Sequence, residues 1–307
     1  MKKIVSLLIL LTLAVSAFVA CGAPAEKEYS LSIGVVVTPS LNKAKVTETV
    51  AAIVTDTDGK IVLCRLDCLD YTAKFVDGAL DTTAPASKAA QGEAYDAYSP
   101  MPAGTWFKQA DALSAYVVGK TQAEVATVAD AAGYVSDAEL KASCSINVAD
   151  MVKAIDNAFK SEHKTSFKTS ATAMTAGVAV LASVSDTTAD DVKSAKLAAD
   201  FAASVLVDGA VVASILDAAE VELKSITDEG AAEAAFKGTK REQGTAYDAY
   251  APMAAGTWYV QADAFALSAV GKTASDIATL ASEGVAGCTI YAGGLKQIVE
   301  AAVKAAK

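Results

Sequence analysis

Ser145 and Thr289 each follow a cysteine, Cys144 and Cys288, a few residues ahead of a predicted helix start (Asn147/Val148 and Gly293/Gly294). A hydroxyl placed there sits beside unpaired N–H groups and the positive end of a helix dipole, a setting that stabilises a phosphate. Gly293 and Gly294 would let a ligand approach the backbone with no Cβ in the way. Other reactive side chains are sparse. His163 is the only histidine and lies in the polar stretch SEHKTSFKTS, read as a solvated loop. One histidine excludes a histidine-based triad and a zinc site built from several imidazoles. There is no G-x-S-x-G elbow, no C-x-x-C-H and no cysteine run spaced for an iron–sulfur cluster. Cys64 and Cys68 fall in an apparent strand, IVLCRLDCLD, where four residues span about 13 Å, too far for a bridge between them. Cys144 and Cys288 are equally readable as small buried residues, and Asp96 and Asp248 as turn caps. No residue is expected to act as nucleophile or general base, so an enzyme is not expected.

These residues belong to a duplicated framework. Gly92–Thr121 and Gly244–Thr273 share 20 of 30 positions without a gap, which makes the chain a tandem duplication. AYDAY, GTW, QADA and VGKT recur, and the only tryptophans, Trp106 and Trp258, occupy equivalent places. Upstream, VTDTDGKIVLCRLD answers SVLVDGAVVASILD; each has an Asp-Gly pair between β-branched runs, a hairpin signal. Downstream, ASCSINVADMVKAIDNAF answers AGCTIYAGGLKQIVEAAV. Val148, Met151, Ile155 and Phe159 share one helical face, as do Leu295, Val299, Ala302 and Val303. Each copy reads as a hairpin-rich sheet followed by three or so helices, an α+β fold. The expected division is residues 31–160 for copy one, 161–170 for a linker and 171–307 for copy two.

Residues 1–20 read as a secretory leader: Lys2 and Lys3, an apolar run from Ile4 to Val15, then small residues. Cys21 follows Val19-Ala20 and resembles the lipidated cysteine of a bacterial lipobox, with Phe18 in the place of the usual leucine; residues 21–30 would be a tether. Lipidation at Cys21 would hold the protein outside the cytoplasm on a membrane. The formal charge is −10 for the whole chain, and a surface that acidic argues against nucleic-acid binding.

The closing segment EGVAGCTIYAGGLKQIVEAAVKAA resembles that of bacterial FMN-binding domains, whose motif runs roughly Asp-x-x-Ser/Thr-Gly-Ala-Ser/Thr ahead of a final helix. The DGKI hairpin and the GTW…QADA…VGKT region resemble their layout too. Tandem copies behind a lipobox resemble the flavin-carrying lipoproteins of Gram-positive extracellular electron transfer. The resemblance implies that Thr289 and Ser145 stand where the family's FMN phosphoester forms and that Gly287 is the motif glycine. Glu283 and Glu139 replace the family's Asp, Ala286 its first Ser/Thr, Ser143 its Gly, and Cys288 and Cys144 its Ala, so covalent attachment stays open. An apolar wall for the flavin ring would come from Trp106 and Trp258 with Tyr95, Tyr98, Phe107, Tyr247, Tyr250 and Tyr259; the tryptophans are equally suited to packing helices on the sheet.

The expected function is a membrane-anchored flavin electron carrier, with a membrane electron donor and a flavin transferase as partners and no metal. The alternatives are a surface module of the same fold that binds a sugar or peptide without flavin, and a purely structural envelope lipoprotein.

Overall fold

The computed structural model describes residues 25–97, 101–248, 253–280, 285–290 and 292–307. The leader, Cys21, Tyr98, Tyr250 and Glu283 lie outside the described residues. In chain order the first half holds strands β1 (Lys27–Ser40), β2 (Lys45–Asp56) and β3 (Ile61–Thr72), and a small hairpin, β4 (Phe75–Val76) with β5 (Ala79–Leu80). Helices α1 (Lys88–Gln91), α2 (Trp106–Tyr116), α3 (Gln122–Val125), α4 (Ala138–Ser143) and α5 (Ala149–Lys160) follow. Strand β6 (Thr165–Thr169) leads to the second half: β7 (Thr175–Asp186), β8 (Ala195–Val207), β9 (Ala210–Thr227) and β10 (Gly230–Ala235). Helices α6 (Lys240–Gln243), α7 (Thr245–Asp248), α8 (Trp258–Ser268), α9 (Ala274–Ala278) and α10 (Ala292–Lys304) complete it.

The fold is mixed α and β with antiparallel sheets. One sheet has the order β3-β2-β1-β6 and the other β10-β9-β8-β7. The expected hairpins form. Asp208 and Gly209 join β8 to β9 with φ of 50° and 79°, the left-handed pair that a tight, right-twisted hairpin requires.

The sheets face one another. Val35, Val50 and Leu69 of the first share a core with Val178, Phe201 and Ile215 of the second. Helices α2 and α5 cover the outer face of the first sheet, and α8 and α10 cover that of the second. The layers therefore run helix, sheet, sheet, helix. Each central strand is buried on both faces, which explains why β2 and β8 are apolar at successive positions rather than at alternate ones.

Two segments differ from expectation. The 161–170 linker contains β6, whose Thr165–Thr169 pair with Leu31–Lys27 of β1. Phe167 is buried and stacks on Tyr29 with centroids 5.6 Å apart. One apolar residue among polar ones suffices for an edge strand, and its polar flanks disguise it as a loop. For the same reason β1 begins inside the expected tether, at Lys27. His163 is half-buried and rests against Tyr259 of the other half, with ring centroids 4.6 Å apart.

Candidate functional site

The turns at Ser145 and Thr289 are built around a glutamine that the sequence reading passed over. Gln109 of α2 is fully buried; its Oε1 accepts from Ser145 N at 2.7 Å, Ile146 N at 3.1 Å and Ser145 Oγ at 3.3 Å. Its Nε2 donates to the Gly104 carbonyl at 2.7 Å. Gln261 of α8 repeats the arrangement on Thr289 N, Ile290 N and Thr289 Oγ1 at 2.7, 3.1 and 2.9 Å, and on the Gly256 carbonyl at 2.8 Å. The donors expected to cradle a phosphate thus already hold an amide oxygen. A phosphate entering there would strand that buried oxygen, at a cost of about 1–3 kcal/mol. Both glutamines lie in the duplicated QADA motif, and that recurrence was the available signal.

Of the other residues expected at a flavin site, the tryptophans and cysteines face inward, while Tyr95, Phe107, Tyr247 and Tyr259 are half-buried. Trp106 and Trp258 are 4% and 5% exposed, each opening its helix within the helix-to-sheet core. They serve packing and present no open ring wall. Cys144 and Cys288 are buried free thiols; burial pushes Cys144 up to about 11 and raises Cys288. Burial likewise takes Cys64 to about 12 and Cys68 to about 11, so none is poised as a thiolate. Gly287 adopts φ 80°, a conformation that favours glycine, while its counterpart Ser143 ends helix α4. The residues present do not fit a flavin phosphate at this turn, whose amides are held by Gln109 and Gln261.

A second duplicated constellation lies at the far ends of β2 and β3, under α1. Asp70 accepts from Lys45 Nζ at 3.0 Å, Lys88 Nζ at 3.2 Å and Thr47 Oγ1 at 2.7 Å. Lys88 Nζ lies 5.2 Å from the Tyr95 ring centre and 5.6 Å from that of Trp106. In the second half Glu220 is held by Lys196 at 2.5 Å and Lys240 at 3.2 Å. Lys240 Nζ lies 4.9 Å from Tyr247 and 5.3 Å from Trp258. Burial opposes the charge on both inner lysines. Cys68, Asp70 and Tyr95 outweigh it at Lys88, and Tyr247 and Glu220 at Lys240, so both ammonium groups stay above the usual lysine range. The flanking lysines hold Asp70 and Glu220 below the usual carboxylate range against burial. These clusters are fixed charge arrays under aromatic faces, with no group poised to move a proton.

In the second half the cluster opens into a cavity of about 290 Å³ between Glu220, Tyr247, Gln243 and Lys196, closed on one side by β10 through Ala235 and its neighbour Lys237. Nearby, Asp67 and Asp217 tie β3 and β9 to α1 and α6. Asp67 receives Ser87 Oγ at 2.7 Å and Ala89 N at 3.1 Å; Asp217 receives Arg241 N at 3.2 Å. Burial raises both carboxyls to about 6. Among the described residues, no group of three or more His, Cys, Asp and Glu side chains could hold a metal ion.

No family model, curated protein or solved structure matches this chain.

Proposed function

We propose that the protein is a non-enzymatic binding module, held outside the cell through Cys21, that takes a sugar-like ligand in the Tyr247 cavity. The observation that carries this reading is the Lys–carboxylate–Lys cluster beneath an aromatic face, kept in both halves and opening into a cavity in the second. Ring C–H groups stack on an aromatic face, while hydroxyl groups need donors and acceptors in fixed places. Tyr247 supplies the face. Glu220, Gln243 and Lys196 supply acceptors and donors whose positions the surrounding ion pairs hold. A cavity of about 290 Å³ suits one sugar residue rather than a long chain. The flavin-carrier reading rests on the resemblance of the closing segments and finds its phosphate donors occupied by Gln109 and Gln261.

Titration of the protein with a panel of mono- and disaccharides and with FMN, followed by calorimetry, separates the readings. We expect saturable binding of a sugar, weakened at least tenfold by Tyr247→Ala or Glu220→Gln and untouched by Thr289→Ala. Saturation by FMN that Thr289→Ala and Ser145→Ala abolish would return the protein to the flavin carriers.

A further inference from the structure

We propose that the end of the sandwich from which β1 starts rests on the lipid bilayer and dips the two V-G-K turns into its headgroup boundary. Anchoring at Cys21, as stated above, is the premise; the face turned to the membrane is the new element.

Both V-G-K turns lie at this end. Gly119 N donates to the Ile61 carbonyl at 2.7 Å and Ile61 N to the Lys120 carbonyl at 3.0 Å, which fixes Val118–Lys120 beside the start of β3. Gly271 N on the Val211 carbonyl at 2.8 Å and Val211 N on the Lys272 carbonyl at 2.9 Å do the same at the start of β9. β3 and β7 run side by side in one direction. Arg65 Nε donates to the Ala176 carbonyl at 2.9 Å, and further along the charge of Asp186 reaches the Tyr71 hydroxyl. β7 pairs antiparallel with β8, Thr175 with Leu206, so the 208–209 hairpin shares the end of the 57–60 turn. Tyr29 pairs with Asp56, so β1 enters there as well.

This end carries apolar tips. Val118 and Val270 are 47% and 41% exposed, and Leu267, one turn before Val270, is 72% exposed, the most of any large apolar side chain among the described residues. Leu267 stands where the first half has Ala115. Gly119 and Gly271, at φ 81° and 78°, turn the chain back sharply after each valine. Lys120 and Lys272 come next, and a lysine lays its stem along apolar surface while its ammonium group meets polar headgroups. Tyr116, with its ring centre 4.3 Å from Lys120 Nζ, adds an aromatic ring of the kind that settles at a membrane interface. Lys60, Lys120 and Lys272 are offset by Asp58, Asp208, Glu124 and Asp276. Apolar contact, rather than attraction to acidic lipid, therefore decides the docking.

Chain entry selects this end over the other. Leu41, Val76 and Val192 are comparably exposed but lie at the opposite end of the strands. β1 alone has 14 residues and is about 45 Å long. Cys21 precedes Ala25 by four residues, a reach of at most about 14 Å. A lipid on Cys21 thus brings the V-G-K end to the bilayer and holds the other end away.

The test uses the chain from residue 21 with Cys21→Ser and a hexahistidine tag before it, held on phosphatidylcholine vesicles that carry nickel-chelating lipid. The tether then enters at its natural place whether or not a cell acylates Cys21. An environment-sensitive fluorophore is attached at Val118→Cys, Val270→Cys, Val76→Cys or Val192→Cys; the native thiols that follow Cys21 are buried. We expect spin-labelled lipid to quench the label at positions 118 and 270 at least twofold and to leave positions 76 and 192 unquenched. Leu267→Asp, an exposed change that spares the core, should at least halve the quenching at 118 and 270. Equal quenching at all four positions, or none at 118 and 270, would overturn the docking. The intact mass of the exported full chain tests the premise separately. Acyl mass lost in Cys21→Ser supports it; no acyl mass would overturn the anchor, and with it the contact in the cell, even where the tethered chain docks.

Discussion

Glu48 of β2 is fully buried on the face turned to the other sheet, and neither of its oxygens has a hydrogen-bond partner. The shared face around it is apolar apart from Asp67 and Tyr71, its diagonal neighbours on β3. Its counterpart in the duplication is Ala199, as Phe201 is that of Val50. Burial pushes Glu48 up to about 8 from an ordinary 4.5. Between those values the unfolded chain has released the proton and the folded chain has kept it. Stability therefore falls as pH rises from about 4.5 to 8 and levels off above. Asp67 and Asp217, raised to about 6, act in the same direction over a narrower range. Urea denaturation should show Glu48→Met equal to the parent near pH 4.5 and more stable by a few kcal/mol at pH 8. Equal stability of the two at both pH values would mean that the carboxyl finds a partner or water in solution.

Two glycines decide how the last helix of each half sits on its sheet. A Cβ on Gly34 would overlap the Ala154 carbonyl and the Ala158 amide of α5; one on Gly177 would overlap the Ala302 carbonyl of α10. Both contacts are with helix backbone, which no rotamer change can clear. Gly34→Ala and Gly177→Ala should each destabilise by roughly 2–3 kcal/mol in thermal unfolding, by forcing helix and strand apart. Neither glycine drew notice in the sequence, because a close backbone approach leaves no local pattern. The helices themselves were legible: Met151, Ile155, Leu295 and Val299 repeat at helical spacing and are buried as expected. So were the Asp-Gly hairpins, whose signal is local. The turns at Ser145 and Thr289 were located, but their partner was not, since Gln109 and Gln261 meet them across 36 and 28 residues. The Lys88 and Lys240 clusters stayed hidden for the same reason: strand pairing, rather than spacing, brings Lys45 and Lys196 to them.

The duplication predicts two domains, yet the largest core belongs to neither alone. Leu31, Val50 and Leu69 are buried in one cluster with Leu197, Phe201 and Ile215, and separating the sheets would expose the inner face of both. Contacts outside the core also cross: His163 rests on Tyr259, and Lys307 pairs with Asp111. The halves should therefore unfold together, as an intramolecular dimer does. One tryptophan per half makes this measurable. In a Trp258→Phe background, Trp106 reports only the first half. Phe201→Ala lies in the second half, faces the shared core and should cost about 3–5 kcal/mol. If the core is shared as described, Phe201→Ala must lower the urea midpoint read at Trp106 by the same amount as that read by far-ultraviolet circular dichroism. A Trp106 transition that stays in place while the dichroism splits in two would make the halves independent domains.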